Sequence, residues 1–129
     1  AANGLLLVGD AFAFIDPVFS SGVFLALKSG EMAADAVDKA LDANDFTASQ
    51  FSDYGRELCR GIESMRALVY AFYDHRFSFA DLIKAYPAVR GDLTDCLIGN
   101  LSKDFSDLFD AVSSFAKLPA ELSYGAVLS

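Results

Sequence analysis

The most regular pattern of apolar positions lies in the middle of the chain. There Phe51, Tyr54, Leu58, Ile62, Met65, Val69 and Phe72 recur at intervals of three and four. That spacing follows the 3.6-residue turn of an α-helix and predicts one apolar stripe of roughly six turns facing a core. Thr47-Ala48-Ser49-Gln50, just ahead of it, has the form of a capping box, with Thr47 taking the backbone N–H of Gln50. An earlier helix is predicted from Gly22 to about Leu41, opened by Ser20 or Ser21 as cap and broken by Asp42-Ala43-Asn44-Asp45. One flank of it is small (Ala26, Gly30, Ala33, Ala34), so it can approach another element closely, which would offset a glycine cost of about 1 kcal/mol.

Shorter helices follow. One runs from Phe79 to Tyr86, capped by Ser78 and stopped by Pro87. The next runs from about Ala88 to Ile98 and ends on Gly99-Asn100 in a left-handed cap. Ser102 is expected to cap the last, with Phe105, Leu108, Phe109, Val112 and Phe115 on one face. At the front of the chain, Leu5-Leu6-Leu7-Val8 is an apolar run of the kind that forms a buried strand. Gly9-Asp10-Ala11 and an irregular stretch lead on from it to Gly22, and Pro17 disfavours helix at Asp16. The fold class is therefore mostly α: a helical bundle entered by a single N-terminal strand. A lone buried strand needs neighbours on both edges, so the chain reads as a truncated part of a larger α/β protein.

Composition supports that reading. Of 129 residues, 53% are hydrophobic, and the mean hydropathy of +0.32 is high for a small soluble domain. No apolar run approaches the roughly 18 residues needed to span a bilayer, so the excess apolar surface is expected to meet a missing region or a partner. The chain opens Ala1-Ala2-Asn3-Gly4, with neither an initiator Met nor a signal sequence, and a cytoplasmic location is the default. A net charge of −8 argues against nucleic acid, and no basic cluster suggests a membrane surface. Cys59 and Cys96 sit among apolar residues without metal-ligand spacing, so both are expected to be reduced and packed, and no metal site is predicted.

Chemistry concentrates between Leu5 and Val23. The segment offers a glycine that lets backbone approach a ligand, a carboxylate at Asp10, and a loop feeding a helix N-terminus. Such an N-terminus presents free N–H groups and about half a positive charge to an anion. Asp10 could accept hydrogen bonds from a hydroxylated chain such as a ribityl group. Taken alone, a Gly-Asp after a strand is equally an ordinary turn.

The run VGDAFAFIDPVFSSGV, Val8 to Val23, resembles the second FAD-binding motif of the flavin monooxygenase superfamily, in the form carried by its flavin-dependent halogenase branch. The aromatic passage Leu68 to Ser78 is also similar to that branch. The resemblance implies that residues 1–45 are the end of an FAD-binding domain and 46–129 a C-terminal helical region. It implies cofactor contacts at Gly9, Asp10, Pro17, Gly22 and Val23, with Asp10 on the ribityl chain, and halide contacts at Ser20, Ser21 and Gly22. The parent would take reduced FAD from a flavin reductase, react it with oxygen, oxidise halide through the flavin peroxide, and halogenate a small organic substrate. Phe12 and Phe24 depart from the pattern, the first standing where a small residue is common and able to crowd the cofactor loop.

Half of such a site is missing from the sequence. There is no GxGxxG fingerprint, and the lysine that halogenases use to direct hypohalous acid belongs upstream in the family. Lys28 and Lys39 do not match its motif and read as solvated. No catalytic residue is assigned, and the chain alone is expected neither to retain FAD nor to be active. His75, between Asp74 and Arg76, reads as part of a polar helix end, and Asp104, Asp107 and Asp110 as a solvated face. Phe72, Tyr73, Phe77, Phe79 and Tyr86 could line a pocket for an aromatic or alkyl substrate, core packing or docking onto the flavin domain being the simpler reading. Alternatives within enzymes are an FAD-dependent monooxygenase and a geranylgeranyl-reductase-like oxidoreductase. The alternative of another class is a cofactor-free helical interaction domain, with exposed apolar faces serving a homo-oligomer.

Overall fold

The computed structural model describes residues 1–122 and contains, among these, five α-helices: α1 (Gly22–Ala43), α2 (Ser52–Tyr73), α3 (Phe79–Ala85), α4 (Arg90–Leu97) and α5 (Ser106–Ser113). The mostly helical class is as expected. Residues 123–129 of the predicted C-terminal region lie outside those described.

The stripe on α2 explains its central place. Tyr54, Leu58, Ile62, Met65 and Val69 are buried along it, and Phe51 is buried just ahead of it. One end of α2 packs with Leu25 and Ala33 of α1 and with Leu101. The other end, through Leu68 and Ala71, joins Leu82 of α3, Leu93 and Cys96 of α4, and Leu108 and Val112 of α5. Leu58, Leu82 and Leu108 are fully enclosed, each contributing about 2 kcal/mol by removal from water. Phe72, the last member of the predicted stripe, departs from it: it is 46% exposed, and Leu68 and Ala71 take the core-facing positions at this end of α2. Gly61 permits the tightest approach, since a Cβ there would stand 2.6 Å from Leu101 Cβ and 2.9 Å from its Cα.

Helix ends follow their local chemistry. At the end of α1, Asn44 is left-handed (φ 48°), its N–H donating to Leu41 O at 3.1 Å while Asp45 N–H donates to Ala40 O at 3.0 Å. Gly99 (φ 85°) repeats that pattern after α4, with Gly99 N–H on Cys96 O at 3.1 Å and Asn100 N–H on Asp95 O at 2.9 Å. Both are Schellman closures. Ser78 caps α3 as predicted, its Oγ accepting from Asp81 N–H at 3.3 Å.

Two predicted caps are displaced by carboxylates, which accept hydrogen bonds more strongly than hydroxyls. The Thr47 hydroxyl and N–H both donate to Asp45 Oδ1, at 2.8 and 3.0 Å, so Gln50 N–H falls back on the Thr47 carbonyl in a 3-10 turn. Those two bonds hold the Asp45 carboxyl below its usual range, the backbone one foremost. The Ser102 hydroxyl meets Glu57 at 3.2 Å instead of a helix end, and Asp104 receives Ser106 N–H at 3.0 Å where α5 begins.

The N-terminal strand does not form. Leu5, Leu7 and Val8 are exposed, and the segment makes only an isolated bridge between Ala2 and Leu5. A strand is stable only when a second extended edge takes its N–H and C=O groups, and none lies along it among the described residues. Single latches hold the segment instead. Tyr54 hydroxyl donates to Leu7 O at 2.6 Å, Gly4 N–H to Phe46 O at 2.8 Å, and Ala48 N–H to Asn3 Oδ1 at 2.8 Å. Among the described residues no helix is long and apolar enough to cross a membrane.

Candidate functional site

Gly9 opens a 3-10 turn, Gly9–Ala11, that rests on the flank of α1. Its φ of +55° is left-handed, and a Cβ would lie 3.3 Å from Ala26 Cβ. Here the small flank of α1 is put to use: Ala26 receives the turn, whereas Gly30 has open space around it. Gly9 N–H donates to Ser29 Oγ at 2.8 Å, and Ser29, only 2% exposed, donates in turn to Ala26 O at 3.1 Å. That bond across twenty residues fixes where Asp10 sits, with its carboxylate exposed to solvent.

The second turn, Pro17–Phe19, is closed by Val18 N–H on Asp16 O at 2.8 Å and Ser20 N–H on Pro17 O at 3.1 Å. Ser20 then adopts a left-handed φ of 55°, swinging the chain into α1. Ser21 occupies the cap position and is buried, yet its side chain does not cap the helix. The cap was thus placed correctly and its hydrogen bond was not. The first-turn amides of Gly22, Val23 and Phe24 remain without a side-chain cap, at the positive end of a 22-residue helix. Ser20, Ser21, Gly22 and Val23 are therefore gathered at one point. Gly9 and Asp10 sit at the level of Ala26 and Ser29, roughly 10 Å further along the axis at 1.5 Å per residue.

Neither departure from the family pattern obstructs this surface. Phe12 turns into the core, edge-on to Tyr54 with ring centroids 6.1 Å apart. The Phe24 ring occupies the space that Gly99 leaves open, where a Cβ would be 2.5 Å from Phe24 Cδ1.

Aromatic residues tie the Pro17–Phe19 turn to α2 and α3. The Phe19 ring meets Phe72 at 5.6 Å and Phe79 at 6.2 Å, both edge-to-face. Phe77 closes on Phe79 at 4.9 Å, whereas Tyr86 stands apart against Phe115 at 6.3 Å. Tyr73 faces Asp16, and partial desolvation together with that carboxylate holds the phenol above its ordinary pKa. Next in sequence, Asp74 accepts from Arg76 backbone N–H, Nε and Nη2, which hold its carboxyl far below the usual range, while the His75 side chain is 93% exposed. Among the described residues no group of three or more His, Cys, Asp or Glu is placed to hold a metal ion.

Sequence reasoning missed Ser29, Tyr54 and the Asp16–Tyr73 pair as supports of the site. The available signals were a lone hydroxyl on an otherwise small helix flank and a tyrosine within an apolar stripe.

With this geometry in place, the comparison with known proteins is decisive: residues 2–78, the site included, match the tryptophan halogenase family. The chain belongs to that family. It is 32% identical over 99 residues to the 1H-pyrrole-2-carbonyl-(peptidyl-carrier protein) chlorinase of Pseudomonas fluorescens, covering 77% of this chain and 22% of that protein. It is 39% identical over 75 residues to the tryptophan 2-halogenase of Chondromyces crocatus, covering 57% and 14%. The digeranylgeranylglycerophospholipid reductase of Methanocaldococcus jannaschii is 37% identical over 54 residues, covering 42% and 14%. The chain thus spans less than a quarter of the length of each of these relatives.

Proposed function

We propose that this halogenase-family chain forms the C-terminal part of an FAD-dependent enzyme that halogenates an electron-rich ring. In this reading residues 1–45 complete the cofactor domain and 46–129 form the outer wall. The observation that carries it is the uncapped N-terminus of α1 beside Ser20, Ser21 and Gly22, with Gly9-Asp10 seated further along the same helix. Uncapped amides, the exposed Ser20 and one carboxylate suit a polyol joined to an electron-rich ring, and the stagger along α1 can be bridged by such a molecule.

FAD, when bound, supplies the redox chemistry that makes halide electrophilic. The chain's own residues position and stabilise. Asp10 accepts hydrogen bonds from ribityl hydroxyls, held in place by the Gly9–Ser29 bond. The amides of Gly22 and Val23 would stabilise the negative charge that the cofactor gains on reduction, and Pro17 would help hold its ring. Ser20, Ser21 and Gly22 hold the halide through hydroxyl and amide donors. Two relatives named above act on a pyrrole and on tryptophan, which supports a heteroaromatic substrate. A flavin reductase provides the reduced cofactor.

The test is halide dependence of the full-length enzyme, assayed with reduced FAD and oxygen. Halogenated product that scales with bromide or chloride is the expected result; an oxidised or reduced product indifferent to halide would move the enzyme to the hydroxylase or reductase reading. The similarity to a digeranylgeranylglycerophospholipid reductase keeps that second reading specific. For the isolated chain, titration with FAD is expected to show no micromolar binding.

A further inference from the structure

A second concavity lies away from the candidate site. It is a cleft of about 550 Å³ between α2, Phe109 of α5 and residues 118–122. Clefts that hold small molecules are typically of ~300–1,000 Å³. The wall formed by residues 118–122 is tied down at two points. Arg66 Nη2 donates to Ala120 O at 2.6 Å, and Leu122 N–H donates to Glu63 Oε2 at 3.3 Å. Glu63 and Arg66 are themselves paired at 2.6 Å and each only 13% exposed, so a largely buried ion pair on α2 anchors the wall. Cys59, Ala67, Phe109, Leu118 and Leu122 make the interior mostly apolar, with Leu122 53% exposed. Desolvation, and then the Glu63 carboxylate, hold the Cys59 thiol above its ordinary pKa, so it lies there uncharged.

Cations gather around this apolar space. In a chain of net charge −8, three of the five arginines line the one cleft: Arg56, Arg60 and Arg66. They are not equally available. Arg66 is engaged by Glu63 and Ala120, and Arg56, 74% exposed, pairs with Asp53 at 2.6 Å. The Arg60 guanidinium makes no hydrogen bond or ion pair among the described residues, although Asp104 feels its charge. A guanidinium takes a carboxylate through two parallel N–H donors, and open apolar wall gains from covering a tail. A dianion such as a phosphate monoester would meet Glu63 and Glu121, which also line the cleft, with a single uncommitted guanidinium to balance them. A cationic ligand would meet the arginines. We propose that this cleft binds a monocarboxylate with an aliphatic tail, its carboxylate on Arg60 and its tail between Ala67, Phe109 and Leu122. The cleft shares no residue with the proposed FAD and halide contacts, and the inference does not depend on the halogenase reading.

Cys59 reports occupancy from inside the cleft. The experiment follows its alkylation by iodoacetamide in the full-length protein, by mass spectrometry of the Cys59 peptide, as hexanoate is added. Each rate is taken relative to the ligand-free rate of the same variant. Buried Cys96 should stay unlabelled throughout, which shows that the labelled molecules are folded. Hexanoate is expected to slow the reaction with half-protection in the low millimolar range, as suits so small a ligand. Octanoate, longer by two methylenes, should act at about fivefold to tenfold lower concentration. Hexan-1-ol keeps the tail without the charge, and Arg60→Gln keeps the cleft without the guanidinium; each should raise the half-protecting concentration by roughly fivefold. Arg90→Gln makes the same change of net charge on an exposed residue outside the cleft and should protect as the wild type does. Unfolding midpoints of both variants are measured alongside, and the comparison of hexanoate with hexan-1-ol needs no variant if Arg60→Gln folds poorly. Unchanged Cys59 labelling at about 20 mM hexanoate, well above the expected range, overturns the site. Equal protection by hexan-1-ol, or equal half-protection in Arg60→Gln and the wild type, overturns the carboxylate on Arg60. Octanoate no better than hexanoate overturns the seat for the tail.

Discussion

Gly9 and Ser29 settle between them the turn proposed to hold the cofactor, and each can be tested by one atom or one methyl group. Ser29→Ala leaves the Gly9 N–H without its buried partner, and chemical denaturation should show a loss of about 1–3 kcal/mol. Gly9→Ala keeps the bond but forces a side chain into a left-handed conformation at 3.3 Å from Ala26 Cβ, for a cost of roughly 1–2 kcal/mol. Both substitutions should weaken FAD binding in the full-length enzyme. The cysteines differ in the same local way: burial pushes the Cys96 thiol up to about 12, and it is 1% exposed, whereas Cys59 is half-buried. Alkylation at pH 8 should therefore spare Cys96 until the chain unfolds, as mass spectrometry of the labelled peptides would show. Asp74 supplies a pH signature. Its folded pKa is depressed by Arg76, so its contribution is complete above the unfolded carboxylate value and declines as pH falls toward the folded one. Asp74→Asn should therefore lower the melting temperature near neutral pH, with the gap to wild type closing below about pH 4.

Among the elements, α2 was the most legible because its burial is one-sided and its spacing follows the helical period. Gly61 was not legible, since a glycine inside a helix looks like a defect until Leu101 is seen against it. Gly61→Ala should destabilise the fold by roughly 1–3 kcal/mol, as at other overpacked core sites, with loss of helical circular dichroism at lower urea. The caps of α1 and α3 could be read, the second with its bond, whereas the cap position of α5 is Phe105 and not the expected Ser102. Asp45 and Asp104 outcompete nearby hydroxyls, a contest decided by geometry rather than by residue type. The strand was misread for a similar reason. An apolar run records a preference for burial, whereas a strand also requires a partner edge, and partners are not encoded in the run itself.

At the scale of the whole molecule, α2 serves two cores at once, one against α1 and one among α3, α4 and α5. The opposite side of α1 is left open, with Val23 75%, Leu27 70% and Leu41 59% exposed. Substituting Leu27 by Gln in this chain should change its unfolding free energy by no more than about 0.5 kcal/mol. In the full-length enzyme, where residues 1–45 are proposed to complete the cofactor domain, the same change should cost measurably more. The candidate site was legible as a motif of sixteen residues because its glycine, carboxylate and serines are local. Its supports were not, because Ser29, Tyr54 and Tyr73 reach Gly9, Leu7 and Asp16 across 20, 47 and 57 residues of chain. Only the folded backbone brings them together.

The latch between Tyr54 and Leu7 has a consequence for the order in which the chain assembles. It joins positions 47 residues apart, and Asn3 is tied to Ala48 across 45. Closing loops of that length is entropically costly, so neither contact forms before α1 has folded back against α2. During synthesis, residues 3–7 must therefore wait in solvent until α2 has emerged, whereas the Gly9–Ala11 turn needs only α1. Tyr54→Phe should accordingly accelerate unfolding while leaving the refolding rate nearly unchanged, a difference that stopped-flow measurements on both limbs would resolve.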